Sequence, residues 1–218
     1  MITLDSPGAA HYLSPMSVIL AIDTAAPRLQ LALLRADGGI DSSIDDIAQG
    51  HAELLFGRIA TLLARNSLAY GDLTRIAVTK GPGSFTGLRI GLSAARGLGL
   101  ALDIPVVGVP SLLALSLAGA AGRPLAILLD ARRGEAYFEA FPAPGVSAGA
   151  PTLLPMLEAQ SLVPGGSTVL SSPFVDIARL AAFAASLDPA KYPTDAAYVR
   201  DADAKPQHKA RIARQGAA

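Results

Sequence analysis

Four places in this sequence carry residue types that could do chemistry. Asp23-Thr24 closes an apolar run, Ser17 to Ile22. A carboxylate at a strand end can hold a metal and its phosphate, and it can equally cap a turn. The second place is Thr79-Lys80-Gly81-Pro82-Gly83-Ser84-Phe85-Thr86-Gly87-Leu88-Arg89, a glycine loop between an apolar run and a helical stretch. α/β proteins bind phosphate at such a junction, because free backbone N–H groups and the helix dipole point into it. The loop does not match the Walker pattern, since Gly87 is followed by Leu88-Arg89 rather than Lys and Ser/Thr. It also fails the dinucleotide spacing, since Thr86 stands where the third glycine is needed. A strand-to-helix turn with Pro82 fixing φ and Ser84 or Thr86 capping the helix accounts for the spacing more simply. The third place, Asp130-Ala131-Arg132-Arg133-Gly134, offers a carboxylate and two guanidiniums, as an anion site or as a solvated hairpin tip. The residues that could touch an anion or nucleotide are therefore Asp23, Thr24, Gly81, Gly83, Ser84, Arg89, Asp130 and Arg132.

The fourth place is His51, which opens a helix. Its i+4 neighbour is Leu55, so no two-histidine metal pair forms there. The other histidines, His11 and His208, fall near the chain ends. Gly91-Leu92-Ser93-Ala94-Ala95 lacks the last glycine of a serine-nucleophile elbow and reads as helix interior. With no cysteine in the chain there is no thiolate nucleophile, thiolate metal site or disulfide. No nucleophile, base and orienting group come together, so no catalytic residue and no metal are expected.

The elements that must position these residues alternate. Three β runs in a row, Ser17–Ile22, Leu29–Ala36 and Ile40–Ile47, predict a meander. From His51 apolar residues recur at three and four positions (Leu54, Leu55, Ile59, Leu62, Leu63), which predicts an amphipathic helix of about fifteen residues. A buried strand at Ile76–Thr79, a helix from Leu88 to Ala101, a strand at Val106–Val109 and a helix opening near Ser111 follow. A hairpin of Leu125–Leu129 with Glu135–Phe141, a strand at Thr168–Leu170, a helix from Phe174 to Leu187 and a last short strand at Tyr198-Val199 complete the reading. Each half begins with a strand ending in an aspartate turn, which suggests a duplicated α/β fold. In the second helix Gly87, Gly91, Ala95 and Gly99 form a nearly axial row of small residues. Its helical glycines cost roughly 1 kcal/mol each against alanine. A face that flat lies on its own sheet or against another subunit, and spacing does not decide which.

Composition bounds the rest. The 218 residues are 51% hydrophobic and 17% charged, with 18 basic and 18 acidic side chains, which marks a globular chain rather than a disordered one. A balanced charge supplies no overall cationic surface for RNA. The uncharged stretch 104–122 is broken by Pro105, Gly108 and Pro110, so it reads as buried strand and helix rather than a membrane span. Residues 1–16 lack a basic n-region and read as a flexible extension rather than a signal peptide.

Ile22-Asp23-Thr24, His51-Ala52-Glu53-Leu54-Leu55, the string Gly81 to Arg89 with Gly91, Asp130 to Glu135, and Tyr198-Val199-Arg200 before Ala204-Lys205 together resemble the TsaB family, also called YeaZ, over about residues 18–205. The resemblance implies an actin/Hsp70/sugar-kinase-like (ribonuclease H-like) α/β fold of two similar lobes with mixed sheets covered by helices. The lobes fall at 17–121 and at a reduced 122–203, with an extension at 1–16 and a basic tail at 204–218. It implies a cytoplasmic, non-catalytic subunit in the synthesis of N6-threonylcarbamoyladenosine (t6A) in tRNA. Such a subunit supports the TsaD transferase together with the TsaE ATPase and forms a homodimer when alone. Cofactors are then none intrinsic, with any ATP or ADP at the complex interface, and tRNA is met only through the complex. The resemblance further implies that the first two helices pair between subunits, through His51, Leu55, Ile59, Leu62, Gly87, Gly91, Ala95 and Gly99. Two other readings stay open. One is a nucleotide-binding enzyme of the same fold that uses Asp23 and the glycine loop; the other is direct tRNA contact by Lys205, Lys209, Arg211 and Arg214.

Overall fold

The computed structural model describes residues 17–197 and Val199. The N-terminal extension, His11, Tyr198, Arg200, His208 and the basic tail lie outside the described residues. β1 (Ile19–Ala26), β2 (Arg28–Leu34) and β3 (Ile40–Asp45) form the expected antiparallel meander. β1 runs through Asp23-Thr24 to Ala26 rather than stopping at Ile22, because Ala26 still pairs with Arg28 across Pro27, with an irregularity between Asp23 and Ala26. α1 (His51–Arg65) leads to β4 (Arg75–Thr79), parallel to β1, and α2 (Phe85–Leu102) leads to β5 (Val106–Val109), parallel to β4. The sheet order is β3-β2-β1-β4-β5. β1, β4 and β5 read as unbroken apolar runs because helices cover both faces of a central parallel strand. Leu20, Ile22, Leu31, Leu33, Ile76 and Val78 pack under α1 and α2.

After α3 (Ser111–Ser116), β6 (Leu125–Asp130), β7 (Glu135–Phe141), β8 (Thr152–Pro155) and β9 (Thr168–Leu170) make a second sheet in the order β8-β7-β6-β9, with α4 (Met156–Ser161) between β8 and β9. Its order repeats that of the first sheet without a fifth strand, so the duplicated architecture and its smaller second sheet are both present. β8 and α4 are absent from the sequence reading. Four strand residues that follow Pro151 and end on Pro155, and six helical residues, are too short to show a period. Val199 is not in a strand.

α5 (Ile177–Ala184) is shorter than the expected 174–187. The Asp176 carboxylate accepts from Arg179 N at 3.0 Å and caps its start. At its other end the Arg75 guanidinium donates to the Ala184, Ala185 and Leu187 carbonyls. α5 packs on β1 and β2. One core therefore joins Ile19, Ala21, Ala32 and Val107 of the first sheet to Leu180, Ala181 and Ala184 and to Leu125, Ile127 and Phe141 of the second. Beyond α5 the chain runs along the edge of the first sheet, where Gly108 N donates to Tyr192 O and Ala197 N to Lys80 O.

Candidate functional site

Asp23 is fully buried. Thr79 Oγ1 donates to its Oδ1 at 2.5 Å, Gln30 Nε2 to its Oδ2 at 3.1 Å and Ala25 N to its Oδ1 at 3.2 Å. Burial pushes this carboxyl above its ordinary value, against the pull of those donors and of nearby His51. Thr24 is buried beside it and donates through Oγ1 to Gly87 O at 2.7 Å. The pair therefore ties β1 to β2, β4 and the start of α2. Both side chains are engaged by the protein's own groups.

The glycine loop serves the same junction. Ser84 N donates to Ala25 O at 2.7 Å, and Ser84 Oγ accepts from Gly87 N at 3.3 Å, so Ser84 is the helix cap and α2 begins three residues earlier than expected. A Cβ on Gly83 would sit 2.8 Å from Ala25 O, and one on Gly87 would overlap the Thr24 carbonyl oxygen. Gly81, at φ +108°, lies under Ala197 O, 2.6 Å from where its Cβ would be. The chain's own backbone thus requires all three glycines. Their spacing, which suggested phosphate, is explained by close packing. Arg89 lies instead on the outer face of α2, its guanidinium 3.7 Å from the Phe85 ring centroid. Asp130 ends β6 of the second sheet and Arg132 follows in the turn to β7, where Arg132 N donates to Asp130 Oδ1 at 2.7 Å. The eight anion candidates do not converge on one site.

The interface residues also face inward. Leu55, Ile59 and Leu62 are buried under the first sheet. His51 is 7% exposed, and its Nε2 has no partner among the described residues. Gly91 would place a Cβ 2.5 Å from Thr24 Oγ1, and Gly99 has no room beside Val106; Gly87 and Ala95 are buried on the same side. The small-residue row therefore lets α2 lie on its own sheet, and of the eight residues expected at an interface only Leu55 also borders the open groove between α1 and α2. What faces outward is a different set. Ala52, Phe56, Ala60 and Ala64 are exposed at four-residue spacing along α1, and Phe85, Ser93 and Leu100 are exposed along α2. Phe56 and Phe85 are about half exposed, at 49% and 48%, and Leu100 is 87% exposed. A groove of about 460 Å³ opens between the first turns of the two helices, lined by Ala52, Leu55, Phe85, Thr86, Arg89 and Ile90. The sequence held this signal as the alanine row, but the stronger leucine and isoleucine stripe on the same helix drew the reading to the buried face. Among the described residues no cluster of three His, Cys, Asp or Glu side chains could hold a metal ion.

The family model described as TsaD, tRNA N6-adenosine threonylcarbamoyltransferase, matches residues 32–141, half of the chain. The Bacillus subtilis tRNA threonylcarbamoyladenosine biosynthesis protein TsaB is 42% identical over 120 residues, which is 55% of this chain and 52% of that one. The Escherichia coli TsaB protein is 35% identical over 124 residues, 55% of this chain and 53% of that one. The chain thus spans about half the length of the curated relatives it matches. The solved YeaZ from Pseudomonas aeruginosa superposes with a TM-score of 0.69 at 24% identity, covering 84% of this chain and all of that one. A second Pseudomonas aeruginosa structure, described as similar to peptidase YEAZ, reaches 0.72, covering 85% of this chain and all of the other. These two solved chains share the two-sheet fold built above, and with half of its residues inside the transferase family model and curated TsaB sequences beside it, the chain belongs to the TsaB/YeaZ family.

Proposed function

We propose that this chain is the accessory subunit of a t6A-forming complex, docking a TsaD-type transferase through the outward faces of α1 and α2. The observation that carries this reading is the open apolar groove between those helices, lined by half-exposed Phe85, with half-exposed Phe56 one turn beyond the groove residue Ala52 on the same outward row of α1. Soluble chains rarely leave aromatic side chains grouped on one face unless that face is covered. Support comes also from the side chains around it. Arg58 and Arg65 of α1 are turned aside onto Asp45 and Asp41 of β3 at 2.7 and 2.6 Å, which leaves the alanine row uncharged. The occupant is a helix pair of a protein with the same fold, because two similar helix pairs can pack ridge into groove. A second copy fills the same groove when the transferase is missing, and a TsaE-type ATPase joins the assembled pair in the cytoplasm. No nucleotide site is assigned to this chain, since its glycine loop and Asp23 are engaged by its own backbone and side chains.

The test is Phe56→Glu, with Ile44→Glu on the exposed side of β3 as the control. Phe56→Glu should weaken co-elution with the transferase at least thirtyfold, as expected for an interface anchor worth about 2 kcal/mol. Its melting temperature should stay within a few degrees of wild type, and t6A in tRNA from cells relying on the variant should fall. Ile44→Glu should change neither. Retention of full affinity by Phe56→Glu would reject this docking face.

A further inference from the structure

The fold of the free chain leaves His51 unexplained. Its side chain is more than nine-tenths buried, and Nε2 has no hydrogen-bond partner among the described residues. Buried polar atoms in folded proteins are bonded in the great majority of cases, so an exception asks for a partner from outside. The acceptor at hand is already taken. Asp23 lies nearby, but Thr79, Gln30 and the Ala25 N–H engage its oxygens. An apolar side chain would fill the same space without burying an unpaired nitrogen, so packing alone does not call for histidine here.

The place of the ring says where that partner comes from. His51 is the first residue of α1, next to Ala52 and one turn before Leu55, and those two form the α1 side of the groove that Phe85, Thr86, Arg89 and Ile90 complete. Residues one turn apart share a helix face, so the imidazole continues the Leu55 side of the groove to its end. A half-turn about its Cβ–Cγ bond exchanges the two ring edges without moving the backbone. The surrounding charges select the chemistry. Asp23 lies on the buried side, and the Glu53 carboxylate folds back over the start of the helix, its Oε2 3.8 Å from where a Gly50 Cβ would be. Another carboxylate would be repelled there, and a cation would meet the Arg89 guanidinium across the groove. A hydroxyl or carboxamide is neutral and both donates and accepts, so it fits whichever ring nitrogen carries the proton. We propose that His51 is a polar anchor of the docking face: a helix of the transferase-type partner seated in the groove sets a neutral hydroxyl or carboxamide side chain against the imidazole. The proposal rests on the docking reading above. It adds a directional contact that fixes the register of the partner helix, where an apolar groove alone would let it slide.

Two substitutions in the full-length chain test it, each measured alone and with the transferase. His51→Leu keeps the bulk and removes the hydrogen bond, while His51→Gln keeps a donor and an acceptor near the place of Nε2. Alone, the His51→Leu chain should melt at or above the wild-type temperature, because it no longer buries an unpaired nitrogen. Its affinity for the transferase should fall about tenfold, as for a lost buried hydrogen bond, and His51→Gln should stay within about threefold of wild type. Full affinity in His51→Leu would overturn the proposal. So would a marked fall in the melting temperature of the free His51→Leu chain, which would give the imidazole to the fold itself. Equal losses of affinity in the two variants would overturn it as well, since shape and not hydrogen bonding would then matter. Phe56→Glu separates this anchor from the docking reading. If Phe56→Glu loses the transferase and His51→Leu keeps it, only the anchor falls; if both keep it, the docking face falls too.

Discussion

At the scale of single residues, the informative side chains are those whose neighbours changed their meaning. Gly87 and Gly97 are both helical glycines of α2, yet a Cβ on Gly87 would overlap the Thr24 carbonyl while nothing lies within 4 Å of Gly97. Gly87→Ala should therefore destabilise by about 3 kcal/mol through overpacking. Gly97→Ala should stabilise by about 1 kcal/mol through helix propensity. Urea titration of each against wild type separates the two, and equal effects would reject the packing account. Glu139 offers a pH test. It is buried on β7 with Ser147 Oγ donating to its Oε1 at 2.6 Å, and burial pushes its carboxyl above the ordinary 4.5. A carboxyl raised in the folded state favours folding while protonated, and that contribution is lost as pH rises through the raised value. Glu139→Gln, which stays neutral, should melt higher than wild type near pH 8. Its advantage should shrink as pH falls toward 4.5, and a difference independent of pH would refute the assignment.

At the scale of elements, α1 and α2 were legible in kind, and α1 in length, but neither in orientation. The period of Leu55, Ile59 and Leu62 marks one face as apolar, and burial of that face against its own sheet is the ordinary outcome for an amphipathic helix. The row Gly87, Gly91, Ala95 and Gly99 would look the same beside a partner helix as beside β1, because spacing records how closely something approaches and not what it is. The outward set, Ala52, Phe56, Ala60 and Ala64, becomes visible only once the inward set is placed. The same limit hid β8 and α4, too short for periodicity, and lengthened α5, whose true ends are set by the Asp176 carboxylate and the Arg75 guanidinium. One consequence belongs to this scale. Arg96 of α2 donates to Thr194 Oγ1 and O at 3.0 and 2.6 Å, so Arg96→Ala should release the segment 192–197 from α2. Faster hydrogen exchange at Gly108 N and Ala197 N, with α2 itself still protected, is the expected result; unchanged exchange would refute the tether.

At the scale of the whole molecule, the two sheets are joined through α5, which the chain order assigns to the second half and the core assigns to the first. Arg75 is the polar part of that joint, since its guanidinium at the start of β4 satisfies three carbonyls at the end of α5. Arg75→Met keeps the aliphatic stem but orphans those carbonyls. It should cost about 2 kcal/mol, read as a lower urea midpoint with one cooperative transition. Two separate transitions would show that the joint, not just its stability, had been lost. The local pattern of residues determined the alternation of strands and helices and the duplicated order of the two sheets, because hydrophobic period and turn chemistry are written along the chain. Only the tertiary structure decided that the glycine loop grips its own β1, that Asp23 is a buried cross-link and that Phe56 and Phe85 rather than the small-residue row face outward. Those outcomes depend on which backbone lies within 3 Å of which glycine, and contacts between residues sixty positions apart leave no trace in the spacing of either partner.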